Sequence, residues 1–343
     1  MTATESNISD DEKSFLETIA ENNLAPLWKN YENLVMDEPN RAEPAVIWKW
    51  LEMAPVVEKS AELVTGKEGD HRVLIMKNPH LAGHMATTTN IVAAYQCVMP
   101  GESTPPHRHS PAATRVILEG NGGGTFVDGK RCDMYDGDLI ITPNWTWHCH
   151  DNDSNNRAIW LDVLDLPLVG QFDAVFSDMG PVENYPQNVS TLPDSLFQTG
   201  GVLPETDKLG VRYSPRLRYA WQDVLAAIEN TPNFEDGTKV LRYLNPVDGG
   251  PMIPTLDSQV LALTANATSG RRREMANTIC IVIEGEGTSR VGEESFDWLA
   301  KDVFTVPHWT WFTHTTISDR ALLIQISDRE IMKGLDLYRE ERE

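Results

Sequence analysis

The chain is short of cysteine, short of positive charge and without long apolar runs, and each scarcity removes a class of function. Its four cysteines, Cys97, Cys132, Cys149 and Cys280, show no CxxC spacing and read as isolated thiols suited to a reducing cytoplasm. No apolar stretch approaches the length of a membrane span. The N-terminal MTATESNISDDEKS is acidic and lacks the basic and apolar regions of a signal peptide, so a cytoplasmic location is expected. Against 51 Asp and Glu stand 29 Lys and Arg, a formal charge of −22. Such a surface repels phosphate backbones and anionic lipid, which argues against nucleic acid and membrane as partners. An anionic small substrate needs local arginine to overcome that field.

What is present suffices for two domains: 343 residues with 41% hydrophobic content can fill two modest cores. Ser9 followed by Glu12 has capping-box spacing, and Phe15, Leu16 and Ile19 then recur at helical intervals. A second helical stretch through Ile47, Trp48 and Leu51 is expected to end before Pro55. Residues 1–89 thus form a helical arm with lead-in strands. From 90 to 166, short runs of Val, Ile, Tyr and Thr are punctuated by Gly, Pro, Asn and Asp, the signature of an antiparallel barrel or sandwich. Residues 167–236 read as a linker with one helix over Ala220 to Ile228. A second β block fills 237–343 and closes on a helix through Ile331, Leu335 and Tyr338.

The two β blocks repeat one another. Leu118-Glu119-Gly120 recurs as Ile283-Glu284-Gly285, offset by 165 residues, and Pro143-Asn144-Trp145-Thr146-Trp147 recurs as Pro307-His308-Trp309-Thr310-Trp311, offset by 164. Two anchors that agree in order and offset indicate duplication of one domain.

The first block carries a ligand pattern. Gly101 is followed after five residues by His107 and then His109. Gly137 is followed after five residues by Pro143, and then by Trp145 and His148. Residues i and i+2 of a strand share a face, so His107 and His109 can serve one site, with His148 arriving from a distant strand. Arg108, between them, points outward. Imidazole suits Fe, Zn, Cu or Ni, so ligand type alone does not name the metal. At the corresponding positions of the second block stand Arg272, Glu274 and Phe312, so that barrel is expected to be metal-free, with His308 and His314 packed or hydrogen-bonded.

These residues resemble the two cupin motifs, with Trp145 in place of the usual second glycine. The acidic ligand common after the HxH pair is absent, its slot being filled by Ala113 and Thr114. The resemblance implies a mainly β bicupin, two antiparallel jelly-roll barrels. The segments QCVMPGE (96–102), HRHSPAATRVILEG (107–120), LIITPNWTWHCHDN (139–152), WLDVLDLP (160–167) and LRYLNPVDGGPMIPT (241–255) further resemble the gentisate 1,2-dioxygenase family, which includes salicylate and 1-hydroxy-2-naphthoate dioxygenases. The resemblance implies Fe(II) on His107, His109 and His148. It also implies cleavage of an aromatic carboxylate by O2 between the carboxyl- and hydroxyl-bearing carbons, gentisate giving maleylpyruvate. A homotetramer is common in the family, with the N-terminal helices as candidate intersubunit arms.

The remaining site residues follow from strand parity and from that resemblance. Arg115 shares parity with His107 and His109 and can hold the substrate carboxylate, as the family's arginine does there. His150 shares parity with His148 and can act as hydrogen-bond donor or proton relay. Asp162 resembles the family acid that would take a proton from a 5-hydroxyl, or else bonds backbone at a strand end. Gln96 can bond substrate or dioxygen, or simply line the pocket, and Arg72 can supply a second positive group. Val92 stands where relatives often carry an aromatic, which widens the pocket and keeps salicylate, 5-nitrosalicylate, 5-aminosalicylate and 1-hydroxy-2-naphthoate open as substrates. A non-redox Zn or Mn cupin and a non-enzymatic binding bicupin are the competing classes.

Overall fold

The structure, a computed structural model, describes residues 9–39, 43–65, 72–81, 83–120, 122–180, 193–197, 202–203 and 212–343. The expected linker of 167–236 and the extreme N-terminus therefore lie partly outside the described residues. Two compact units are present, Met1–Arg41 and Ala42–Glu343.

In the first unit, helix Asp10–Glu21 begins where the capping box places it, with Glu12 N donating to Ser9 Oγ at 3.2 Å. A second helix, Leu27–Leu34, is joined to it by Lys29 on Glu12 at 2.7 Å.

The larger unit holds both barrels, each made of a six-stranded and a five-stranded sheet. In the first barrel the six-stranded sheet runs Arg218–Tyr219, Leu139–Thr142, Ala113–Glu119, Ala158–Leu164, Val92–Val98, Val73–Ile75. Its five-stranded partner runs Ser177–Met179, His107–His109, His148–Asn152, Gly123–Val127, Lys130–Asp133. The second barrel repeats the plan, with Arg272–Glu274 in the place of His107–His109 and Phe312–Thr316 in that of His148–Asn152. His107 pairs with His148 in the first and Arg272 with Phe312 in the second, so the offsets read from the sequence align the barrels in space. Strand Val92–Val98 is buried at all seven positions, as an apolar run sealed on both faces should be.

Each half lends pieces to the other. Ile47–Trp48, which precedes the first barrel, joins the edge of the second barrel's sheet at Val303 and Phe304. Arg218–Tyr219, which precedes the second barrel, joins the first at Leu139 and Ile140. Two buried aspartates complete a reciprocal clasp. Asp165 accepts from Ala112 N in the first barrel and from Thr255 Oγ1 in the second. Asp328 accepts from Asn277 N in the second and from Asn90 Nδ2 in the first.

Two expectations about helices are corrected. Ile47 and Trp48 are strand, and the following helix, Trp50–Leu63, runs through Pro55. The proline deprives only the Leu51 carbonyl of its helical donor, and Leu51 is 76% exposed, so water can replace the bond. Val57 and Ala61 stay buried below. At the C-terminus the helix is only Arg329–Gly334, and Tyr338 lies between it and a final strand, Glu340–Arg342. That strand pairs with Arg272–Glu274, and the ladder overrides the helical spacing. Among the described residues no helix is long and apolar enough to cross a membrane, and none of the four cysteines is in a disulfide.

Candidate metal centre

Strand His107–His109 is only three residues long, flanked by Pro105, Pro106 and Pro111, which restrict the backbone on both sides. Its alternation turns His107 and His109 to one face, and direct pairing with His148 brings the third ring to them. The candidate ligand atoms of the three histidines all lie within 4.8 Å of one another, and among the described residues no other such group of His, Cys, Asp or Glu is found. Ring centroids stand 4.2 Å apart for His107 and His148, and 4.7 Å for His109 and His148.

Backbone carbonyls set the tautomers. Nδ1 of His107 lies 3.1 Å from the Pro105 oxygen, that of His109 2.7 Å from Pro111, and that of His148 3.0 Å from Thr146. A carbonyl can only accept, so each Nδ1 carries a proton, and in the neutral ring Nε2 is then the atom with the lone pair. Among the described residues the buried Nε2 of His148 has no hydrogen-bond partner, an expensive state for a polar atom unless something else engages it. Burial lowers the proton affinity of His109 and His148, and the charge of Arg115 adds to the effect, keeping both rings neutral. Three converging nitrogen donors without a carboxylate fit a divalent transition metal and leave part of its coordination sphere open.

Beside the triad the six-stranded sheet presents a polar wall. Asp162 pairs directly with Arg115 on one side and Ala94 on the other, while Trp160 pairs with Gln96. Arg115 is 3% exposed. Its Nε lies 2.7 Å from Asp162 Oδ1, but neither atom finds hydrogen-bond geometry in that contact. Nη1 donates to Thr142 Oγ1, and among the described residues Nη2 has no partner. Trp160 Nε1 donates to Asp162 Oδ2 at 2.8 Å. Burial raises the Asp162 carboxyl, opposed by Arg115 and the Trp160 bond. His150 is buried, its Nδ1 3.0 Å from Thr125 Oγ1 and its ring 4.8 Å from that of Trp160 and 6.2 Å from that of His148. Gln96 is 7% exposed, and among the described residues its amide has no partner.

Arg72 needs correction. It is buried, and all five guanidinium N–H groups are engaged: two on the Cys97 carbonyl, one on Val64 and two on the carboxylate of Glu102. It is fully used in fastening the lead-in segment to strand Val92–Val98 and is not free to meet a substrate. Thr125, Thr142 and Trp160 were not anticipated from sequence. Trp160 could have been, since it shares parity with Asp162, and Thr125 aligns with Ser289 at the motif's own offset of 164.

The second barrel fills the same region differently. Glu274, in the place of His109, is held by Arg329 at 2.9 Å, and Arg329 also reaches Asp257 at 2.7 Å. His314, in the place of His150, lies 2.7 Å from Ser289 Oγ through Nδ1.

A family model described as a cupin domain matches residues 94–164. Across nearly the whole chain there is similarity to gentisate 1,2-dioxygenase 1 of Aquipseudomonas alcaligenes, at 36% identity, covering 98% of this chain and 97% of that one. The chain belongs to the gentisate and salicylate 1,2-dioxygenase family. The 5-aminosalicylate 1,2-dioxygenase of Comamonas sp is 34% identical, over 95% of this chain and 88% of the other. Among solved structures, salicylate 1,2-dioxygenase from Pseudoaminobacter salicylatoxidans with gentisate matches at a TM-score of 0.89 and 30% identity, covering 100% of this chain and 97% of that one. The protein is thus a bicupin oxidoreductase of the ring-cleaving dioxygenase class, and the non-redox and non-enzymatic alternatives fall away.

Proposed function

We propose that the protein is an Fe(II)-dependent dioxygenase that opens an aromatic carboxylate between its carboxyl-bearing carbon and the adjacent hydroxyl-bearing carbon, with gentisate to maleylpyruvate as the first candidate. The observation that carries this reading is the convergence of His107, His109 and His148 with every Nδ1 tied to a carbonyl. Fe(II) held by these rings supplies the electron transfer that lets a closed-shell aromatic react with O2.

The protein's own groups bind and orient the substrate. Nη2 of Arg115 is the donor left over for a carboxylate oxygen, and a charge-assisted bond there fixes the ring plane. The poorly aligned contact between Arg115 and Asp162 makes the arginine available to a better-placed carboxylate. Asp162, its proton affinity raised by burial, accepts the proton of a 5-hydroxyl, and Trp160 fixes its orientation. His150 stays neutral in its buried setting and donates or relays a hydrogen bond to the substrate. Gln96 lines the same wall and offers its amide to substrate or dioxygen. Holding both reactants in one oriented site removes much of the encounter entropy.

The second reading keeps the reaction and changes the ring: a substituted salicylate, favoured by the small side chains of Val92 and Ala94 on the strand facing Asp162 and Leu164. A panel of gentisate, salicylate, 5-aminosalicylate, 5-nitrosalicylate and 1-hydroxy-2-naphthoate, compared by kcat/KM for ring-opened product, decides between them. Gentisate leading the panel supports the first, and no turnover of any member refutes both. A homotetramer in the cytoplasm accords with family resemblance, with cysteines outside any disulfide, and with the exposed Leu24, Trp28, Tyr31 and Leu34 of the N-terminal unit. Light scattering of the purified protein tests the assembly.

A further inference from the structure

Arg108, between the two histidines of the ligand strand, turns outward and lies over two indole rings. Its guanidinium carbon is 4.2 Å from the Trp145 ring centroid and 4.7 Å from that of Trp147. The fork is also held by Asp178, at 2.9 Å from Nη2, on the added strand Ser177–Met179, where Asp178 and Arg108 are register partners. Trp145 N donates to the His109 carbonyl at 2.8 Å. Gly180 comes so close to Trp147 that a Cβ there would stand 2.6 Å from the ring.

The same assembly recurs in the second barrel. Arg273 lies 4.4 Å from the Trp309 ring and 5.0 Å from Trp311, and is held at 2.7 Å by its register partner Glu341 on the added C-terminal strand. Trp309 N donates to the Glu274 carbonyl at 2.7 Å. Trp145 and Trp309 both take left-handed backbone, with φ of 62° and 51°, at a position where the motif otherwise favours glycine. The clamp is thus a duplicated scaffold, retained where the ligand positions hold Arg272, Glu274 and Phe312.

From this we infer that Arg108 is a positioning residue: in contact with both Trp145 and Trp147, it locks the strand bearing His107 and His109 to the turn leading into His148, and so sets the spacing of the three imidazoles. Two short strands with one direct pair between them, His107 with His148, fix that spacing poorly by themselves. The stack behind them supplies the missing constraint, as outer groups around a metal site do. The inference rests on reading the three histidines as metal ligands.

The test is a Co(II) titration of the chelator-stripped full-length chain, followed by visible absorption, with thermal unfolding in parallel. Arg108→Ala is expected to weaken Co(II) binding by about 10–100-fold and to shift the visible bands, with Arg108→Lys recovering only part of the loss because an ammonium does not stack in the slot. Arg273→Ala, which opens the twin clamp, is expected to lower the melting temperature while leaving Co(II) affinity within about twofold of wild type. Should Arg108→Ala fail to fold, Trp147→Phe, which thins the stack, is read in the same way for a several-fold loss. Affinity and spectrum unchanged on opening the first clamp would overturn the inference, and so would an equal loss of affinity in Arg273→Ala. A wild-type chain that binds no Co(II) overturns the metal reading itself.

Discussion

Arg115 and Asp162 sit directly opposite one another on neighbouring strands of the first barrel, Nε 2.7 Å from Oδ1, both almost wholly buried. Each neutralises the other in a place where an unpaired charge is costly, so the arginine cannot be treated as a substrate anchor alone.

Removing only Arg115 strands a buried carboxylate. Arg115→Ala should therefore destabilise the fold by about 3–5 kcal/mol as well as raise KM for gentisate at least about tenfold, the loss of one charge-assisted bond. Arg115→Ala combined with Asp162→Asn should regain most of the stability and none of the binding. Urea unfolding beside steady-state kinetics separates the two effects, and a double variant as unstable as the single would contradict the pairing.

His150 touches Trp160 with its ring and Thr125 with Nδ1. His150→Phe keeps the ring packing and loses the nitrogens. Its kcat is expected to fall about 10²-fold or more with metal content unchanged. A fall in metal content to match would make His150 a support for the ligands instead.

How much of this was legible in the sequence follows from the range of the forces involved. The shared face of His107 and His109 and the repeat between Trp145 and Trp309 are local patterns, and the structure shows both the convergence of the histidines and the matched tryptophans. The role of Arg72 is not legible in sequence because it depends on the Cys97 carbonyl and on Glu102, distant partners that no local pattern announces. The strand Ser177–Met179 is invisible in sequence for the same reason: three residues form a strand there because they pair with the edge of His107–His109. The helix continues through Pro55 because the packing of Val57 and Ala61 outweighs the local penalty that the sequence shows at the proline.

The Asp165 clasp predicts a pH dependence. Burial pushes this carboxyl up from 3.8 to about 6, against the bonds from Thr255 and Ala112. The folded state therefore holds its proton more tightly than the unfolded chain. The stability contributed by the protonated form is complete below about pH 4 and is lost as pH rises to about 6, at up to about 1.4 kcal/mol per unit. Asp165→Asn should remove this component, so its melting temperature should gain on wild type between pH 4 and 6 and hold a constant lead above. A lead that shrinks with rising pH would contradict the account.

In the second barrel, burial pushes the Glu274 carboxyl up, but the Arg329 guanidinium outweighs it and holds the carboxyl down at about 2. Glu274→Ala should therefore cost about 3–5 kcal/mol, by leaving Arg329 buried with only part of its charge matched. Metal content and kcat of the folded fraction should not change. Loss of bound metal on this substitution would place part of the centre in the wrong barrel.

The most direct test of the central claim is metal analysis of protein purified without oxygen, joined to O2 uptake with gentisate, in wild type and His107→Ala. Wild type should carry one iron per chain and consume one O2 for each ring opened, and His107→Ala should lose both the iron and the uptake. Iron and uptake retained in His107→Ala, or turnover by metal-free wild type, would contradict it.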